Sequence, residues 1–381
     1  MWPLVKPLLP GYGLAMRAVR SGWVIANACC LSAILSVSVS ACSGGENDIT
    51  RTESVAESAL PARENLIPSA GSSSSAPEPG TIVFRSDRDS DGGDLYLMAS
   101  DGSAVQRLTD GGGYWTPLWS PDGASIAFRQ ETGLAAGIGL VASSGGAPVI
   151  LVAGEDPELI NLLPAWSGDE LIYGSHEGGP DTDLWAIVRS GGQRHVLFAA
   201  RSGRRLEADV SRTDSRIAFS WSPEATRSSG FVAGLDLWVA TGGDDDVPEN
   251  LTEGRVYLPS GPRWSPDGTR IAFWGFARAA DGSLEDLGSH ADGANPPDSE
   301  LFLIDVSTHE LTRLTDNAQD DQAPAWTPDG QWLLFTSARD GDEDIWKMPI
   351  AAPEQALDLI DDADAPNSDV MPDCFWGLST Q

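Results

Sequence analysis

Pro117-Leu118-Trp119-Ser120-Pro121-Asp122-Gly123, followed by Ser125-Ile126-Ala127-Phe128, decides the fold, because it is one copy of several. It recurs as Pro262-Arg263-Trp264-Ser265-Pro266-Asp267-Gly268 with Ile271-Ala272-Phe273. A third copy is Pro324-Ala325-Trp326-Thr327-Pro328-Asp329-Gly330 with Leu333-Leu334-Phe335. Weaker copies are Pro164-Ala165-Trp166-Ser167-Gly168-Asp169 with Leu171-Ile172-Tyr173, and Ala208-Asp209-Val210-Ser211-Arg212-Thr213-Asp214 with Ile217-Ala218-Phe219. Such a repeat marks an array in which no unit buries its own faces. Ser-Pro-Asp-Gly suits a tight hairpin: Pro presets φ at the second position, Asp tolerates the third, and Gly takes a left-handed fourth. The preceding Trp reads as a core anchor between neighbouring sheets.

Each unit continues with a strand opening on acid, aliphatic, aromatic: Asp94-Leu95-Tyr96, Asp183-Leu184-Trp185, Asp236-Leu237-Trp238, Glu300-Leu301-Phe302 and Asp344-Ile345-Trp346, with Gly137-Ile138-Gly139 as a degenerate sixth. Fourth strands are expected at 106–109, 149–152, 195–198, 249–252, 312–315 and 356–359. Second, third and fourth strands number six each, but first strands only five, because Thr81-Ile82-Val83-Phe84-Arg85-Ser86 is already a second strand. Pro372-Asp373-Cys374-Phe375-Trp376 keeps the spacing of Pro324-Ala325-Trp326, so residues 369–377 are expected to complete the first blade. The predicted fold is all-β: a six-bladed β-propeller of four-stranded antiparallel blades over 81–381, its ring closed by a C-terminal strand joining the first blade. Trp221-Ser222-Pro223-Glu224 imitates a repeat start but follows a second strand, and is not counted. Insertions fall near 222–234 and 276–299, and the longer is expected to mark a binding face, either at itself or over the mouth of the channel.

These Trp-Ser-Pro-Asp-Gly units resemble the propeller repeats of the TolB family over about residues 81–377. The repeat also appears in envelope scaffolds, in propellers appended to serine peptidases and in some polysaccharide-cleaving enzymes. The resemblance implies a protein-interaction propeller, and it stops at the ring, since the α/β domain that precedes the propeller in that family has no counterpart.

Before the ring, Arg17 and Arg20 precede an apolar stretch from Trp23 to Ala41, the layout of an export signal. Val39-Ser40-Ala41-Cys42 resembles the bacterial lipobox, which implies cleavage after residue 41 and acylation of Cys42. Two or three acyl chains hold a protein stably on a bilayer. Met16-Arg17-Ala18-Val19-Arg20 would open a more compact signal, so translation is expected to start at Met16. Ser43-Gly44-Gly45-Glu46-Asn47-Asp48 has no basic stop-transfer cluster, which argues against an uncleaved span. Residues 42–80, rich in Ser, Pro and Glu, read as a disordered tether. By resemblance to lipoprotein sorting in enteric bacteria, Ser43 implies the periplasmic side of the outer membrane; an exported cell surface is the other envelope location.

The net charge of −32, with only Lys6, Arg17 and Arg20 charged in residues 1–42, makes the body strongly acidic. Such a surface keeps a protein soluble and repels nucleic acid. The expected partners are an envelope protein and the membrane through the lipid. With Cys29 and Cys30 in the signal, only Cys42 and Cys374 remain in the mature body, so packing must supply the stability.

No catalytic residue is expected. His176, His195, His290 and His309 lack paired metal spacing, and neither a Gly-x-Ser-x-Gly elbow nor a Walker loop is present. Cys374 is expected to pack where other blades place Trp. The most site-like segment is Asp87-Arg88-Asp89-Ser90-Asp91-Gly92-Gly93-Asp94, whose Asp87, Asp89, Asp91 and Asp94 are the calcium candidates. Met98 replaces an EF-hand's last Glu, and Ser337-Ala338-Arg339-Asp340-Gly341-Asp342-Glu343-Asp344 repeats the pattern in the last blade, so the acids also read as part of the repeat. Asp244-Asp245-Asp246 and Asp361-Asp362 read as solvated loops. The other readings are a small-ligand, glycan or cation module at the channel mouth, requiring convergent polar side chains, or a lyase-type carbohydrate enzyme, requiring His, Arg and carboxylates there.

Overall fold

A computed structural model of the chain describes residues 77–132, 135–153, 164–175, 183–198, 204–223, 235–242, 247–278, 298–360 and 367–377. The export signal, Cys42, the tether up to residue 76, insertion residues 224–234 and 279–297, Asp244-Asp245-Asp246, Asp361-Asp362, His176 and His290 lie outside these.

Six four-stranded antiparallel sheets follow one another as the repeats predict. Blade 1 orders its strands Asp369–Cys374, Ile82–Ser86, Asp94–Met98 and Gln106–Arg107, so the last strand of the chain is the first strand of the first blade. Ile82 faces Cys374, Val83 faces Asp373, and Phe375 N donates to Thr81 O at 2.9 Å. This removes the free edge that blade 1 would otherwise present at the axis. Blades 2 to 6 begin at the inner strands Tyr114–Trp119, Ala165–Ser167, Arg204–Val210, Val256–Trp264 and Asp321–Trp326. Trp221 and Ser222 form the end of the second strand Ile217–Ser222 rather than following it, and, as expected, they begin no blade.

Each anchor packs onto the blade before its own. Trp119 meets Val83, Leu95 and Phe375 of blade 1; Trp264 meets Ala218 and Leu237 of blade 4; Cys374 meets Ala325 and Leu334 of blade 6. Cys374 therefore takes an anchor position, opposite Ile82 as Trp119 is opposite Ile126. A buried Trp removes about 200 Å² from water, on the order of 5 kcal/mol gross, so a single sheet gains this only when a neighbour covers it.

The hairpins form for the reasons read in the sequence. Gly123 N donates to Ser120 O at 2.9 Å, closing the turn, and Gly123 has φ +68°. A Cβ there would lie 2.6 Å from the Phe375 ring, so both backbone and contact demand glycine. Asp122 accepts from Ser120 Oγ at 2.6 Å and Ala124 N at 3.1 Å, and Asp267 and Asp329 do the same in their turns.

Val149–Val152 and His195–Phe198 are the fourth strands expected of blades 2 and 3, but the other four are shorter than expected: Gln106–Arg107, Glu249–Asn250, Leu311–Arg313 and Leu357–Asp358. In blades 1, 4 and 5 the chain leaves the ladder early because a threonine side chain takes the next rung. Thr109, Thr252 and Thr315 Oγ1 accept from Leu95, Leu237 and Leu301 N, each at 2.9 Å. The end of the expected tether, residues 77–80, touches the ring: Gly80 N donates to Phe375 O at 2.7 Å.

Candidate functional site

The inner strands line the central channel, and every one with a described bulge position carries the same irregularity. Thr116, Glu207, Gly261, Ala323 and Met371, two residues before the residue preceding the anchor, have φ of +48°, +26°, +58°, +50° and +57°. The ladder register shifts at each of them. Left-handed backbone costs a non-glycine residue on the order of 1–2 kcal/mol, and a bulge re-aims side chains. Here it turns inner-strand residues toward the next blade and the axis. Thr116 N donates to Met371 Sδ at 3.1 Å, and Gly261 N donates to the Glu207 carboxylate, each across a blade boundary.

Against this regular frame, four residues break the repeat. Blades 2, 3 and 6 place Leu118, Ala165 and Ala325 before the anchor; blades 4, 5 and 1 place Asp209, Arg263 and Asp373. Blade 4 also puts Arg212 where three other hairpins have Pro121, Pro266 and Pro328, in a hairpin of the same length whose closing bond, Ser215 N to Ser211 O at 3.0 Å, spans one residue more. These departures meet. Trp264 N donates to Asp209 Oδ2 at 2.7 Å and Trp119 N to Asp373 Oδ2 at 2.8 Å, so each Asp grips the backbone of the next anchor. Where the preceding residue is Leu118 or Arg263, the anchor indole (Trp166 or Trp326) instead donates to its carbonyl, at 3.4 and 3.0 Å. The Arg212 guanidinium lies 4.1 Å over the Trp376 ring, and Trp376 Nε1 donates to Trp326 O at 3.2 Å.

The electrostatics follow from enclosure. Burial pushes the Asp373 carboxyl up to about 6; Arg263, the Trp119 amide and Arg212 pull it down, while Asp209 adds to the rise. Burial also raises Asp209, against Arg263, the Trp264 amide and Arg212, and raises Glu207, against the Gly261 amide, Arg263 and Arg129. Burial lowers Arg212 despite Asp373 and Asp209. Yet Arg212 retains an exposed side chain, and Arg263, Glu207 and Asp209 are only half-buried. Groups crowded by protein but still reachable by solvent are those lining a narrow passage.

The calcium candidates of the sequence lie elsewhere, and three of the four are hydrogen-bonded to different partners. Asp94 is fully buried and receives Arg107 at 2.7 Å, Ser90 Oγ at 2.7 Å, Thr109 Oγ1 at 3.1 Å and Gly112 N at 3.2 Å. Asp89 accepts from Tyr96 Oη at 2.6 Å, Asp87 accepts from Ser368 N at 2.7 Å, and Asp91 is exposed. The strand-opening acid is thus a latch to the fourth strand; Asp236 repeats it with Asn250 and Thr252, and Glu300 with Arg313. Both halves of this latch are visible in the sequence, the acid that opens the third strand and the polar residues of the fourth, but no local period shows that they pair. In blade 6 the fourth-strand partner is Asp358, and Asp340, Asp344 and Asp358 bring one oxygen each within 4.8 Å of one another. An open cleft of about 590 Å³ lies on the rim by Arg107, Asp110 and Pro148, where Arg107 is already paired with Asp94 and Asp110.

No family model matches the chain. It is 42% identical over 59 residues to the uncharacterized peptidase YuxL of Bacillus subtilis, covering 15% of this chain and 9% of that one. It is 37% identical over 80 residues to the Tol-Pal system protein TolB of Alcanivorax borkumensis, covering 21% of this chain and 14% of that one. The chain spans less than a quarter of the length of the curated relatives it matches. Among solved structures, TolB from Acinetobacter baumannii aligns with a TM-score of 0.58 and 14% identity, over 78% of this chain and 66% of that one. In fold, the chain is a TolB-like six-bladed propeller.

Proposed function

We propose that this chain is a non-catalytic binding scaffold of the bacterial cell envelope, anchored by lipid on Cys42 and presenting its ring to a protein partner. The observation that carries the reading is the convergence of the four repeat-breaking residues at one end of the channel, in a wall that the ring holds rigid. A repeat keeps its consensus where only packing matters, and departs from it where a site is made. The likeness to TolB supports an envelope role. Val39-Ser40-Ala41-Cys42 supports the anchor, and we assign the periplasmic side of the outer membrane as its place. For a carbohydrate-cleaving enzyme, His would have to join Arg and carboxylates at the channel. The described His195 and His309 sit instead beside Glu170 and Glu249 on the outer part of the ring.

A crosslinked pull-down of the tagged lipoprotein from intact envelopes tests this, with Cys42→Ser as the unanchored control. The reading expects a stoichiometric envelope protein that is lost in the control. Recovery of no enriched protein under gentle crosslinking overturns it.

A further inference from the structure

We infer that the hairpin-side mouth of the channel is a binding site for a carboxylate group, received by the Arg212 and Arg263 guanidiniums beside the Trp376 indole. The inference rests on the reading of the ring as a binding scaffold and adds the chemistry of what it takes.

The acids are engaged: Asp373 Oδ2 holds Trp119 N, Asp209 Oδ2 holds Trp264 N, and Glu207 holds Gly261 N. Arg129 pairs with Glu131 at 2.7 Å. The Arg212 and Arg263 guanidiniums make no ion pair and donate no hydrogen bond among the described residues, whereas Arg107, Arg313 and Arg339 are paired with Asp94, Glu300 and Asp321. A guanidinium carries five N–H donors in a planar fork that matches the two oxygens of a carboxylate. What the mouth lacks is therefore an acceptor, and a charged one gives the stronger bond.

Position supports this. Asp209 Oδ2 holds the amide that joins Arg263 to Trp264, Arg212 follows Asp209 by three residues, and both arginines act on the Asp209 and Asp373 carboxylates, which places them at one end of the channel. Asp209 and Asp373 balance the two cations without hydrogen-bonding to them. A guest carboxylate would gain paired N–H donors in a low-dielectric wall where such bonds are strengthened. Trp376 holds one face of Arg212 at 4.1 Å, which fixes the fork before a guest arrives. The chain's strong acidity would exclude anions from the general surface, so these two arginines give selectivity to one place.

The test is isothermal titration of the full-length lipoprotein in detergent with citrate, succinate and a short peptide ending in a free carboxylate. The same peptide with an amidated end, and calcium chloride, serve as controls. A free small acid and a chain terminus carry the same chemistry, and the two arms separate those sources. We expect at least one carboxylate probe to bind, the amidated peptide not to, and Arg263→Ala and Arg212→Ala each to weaken binding about tenfold or more. Arg212→Lys, which keeps the charge without the fork, should also weaken it, and it serves if the alanine variant does not fold. Arg194→Ala, away from the mouth, should bind as the parent does. Absence of binding by every carboxylate probe at millimolar concentration overturns the inference, as does equal affinity in the arginine variants. The pull-down is a separate measurement, so a captured partner with no carboxylate binding would reject this site and leave the scaffold reading standing.

Discussion

Arg212 and Trp376 occupy the same repeat position, that of Pro121, in blades that face each other across the ring, and the guanidinium lies 4.1 Å from the indole centroid. Trp376 also donates to Trp326 O, so one side chain ties blades 1, 4 and 6 at the end of the closing strand. Trp376→Ala should lower stability by about 1–3 kcal/mol, the sum of a cation–π contact and an indole hydrogen bond. Trp376→Phe should lose less, since it keeps a ring. Thermal unfolding reads both, and an unchanged Tm in the alanine variant would contradict the tie.

Asp373 predicts a pH dependence of stability. Its folded pKa of about 6 lies above the unfolded carboxylate value near 3.9, so the fold holds the proton more tightly than the unfolded chain does. The stability this gives is fully present below about pH 4 and lost as the pH rises through about 6. Asp373→Asn should therefore raise stability by on the order of 1–3 kcal/mol near pH 7.5 and change it little near pH 4. Denaturant unfolding at those two values measures it. A variant equally shifted at both would show that charge is not the cause.

Asp94 predicts the opposite sign. Burial alone would raise its carboxyl, but hydrogen bonds from Ser90, Arg107, Gly112 and Thr109 hold it below the usual range. Its contribution is present above about pH 4 and lost as the pH falls through the folded value. Asp94→Asn should lower Tm at neutral pH, with the deficit shrinking in acid. A deficit that stays constant with pH would mean that shape, not charge, makes the latch.

Cys374 is a thiol that should not react. It is 1% exposed, and burial, with Asp373 beside it, pushes its pKa up. A thiolate is the reactive form, so labelling of the native ring by a disulfide reagent should be negligible and should rise with the unfolded fraction in denaturant. Rapid labelling under native conditions would place Cys374 outside the anchor position.

The fold was legible because each blade repeats its own local chemistry. Trp119, Trp264 and Trp326 announce the anchors, and Pro372-Asp373-Cys374 keeps the spacing even though Trp has become Cys. The site was less legible, for a physical reason. Arg212 and Trp376 are far apart in sequence and meet only once the ring is closed, so no local period records them. The signal that could have found them was the failure of the repeat itself: Asp209, Arg263 and Asp373 at an apolar position, and Arg212 at a proline position. The bulge at Thr116, Glu207, Ala323 and Met371 left no mark, because these residues share no side-chain chemistry and only their backbone agrees.

The most direct measurement is photo-crosslinking in intact cells from two positions of the lipoprotein, Ser215 in the blade 4 hairpin beside the channel mouth and Asp169 in the blade 3 hairpin farther from Arg212. The account predicts one crosslinked envelope protein from position 215, diminished by Arg212→Ala and Arg263→Ala, and little or none from position 169. An equal adduct from both positions, or one indifferent to the two arginines, would contradict the claim that the channel mouth is where this ring binds.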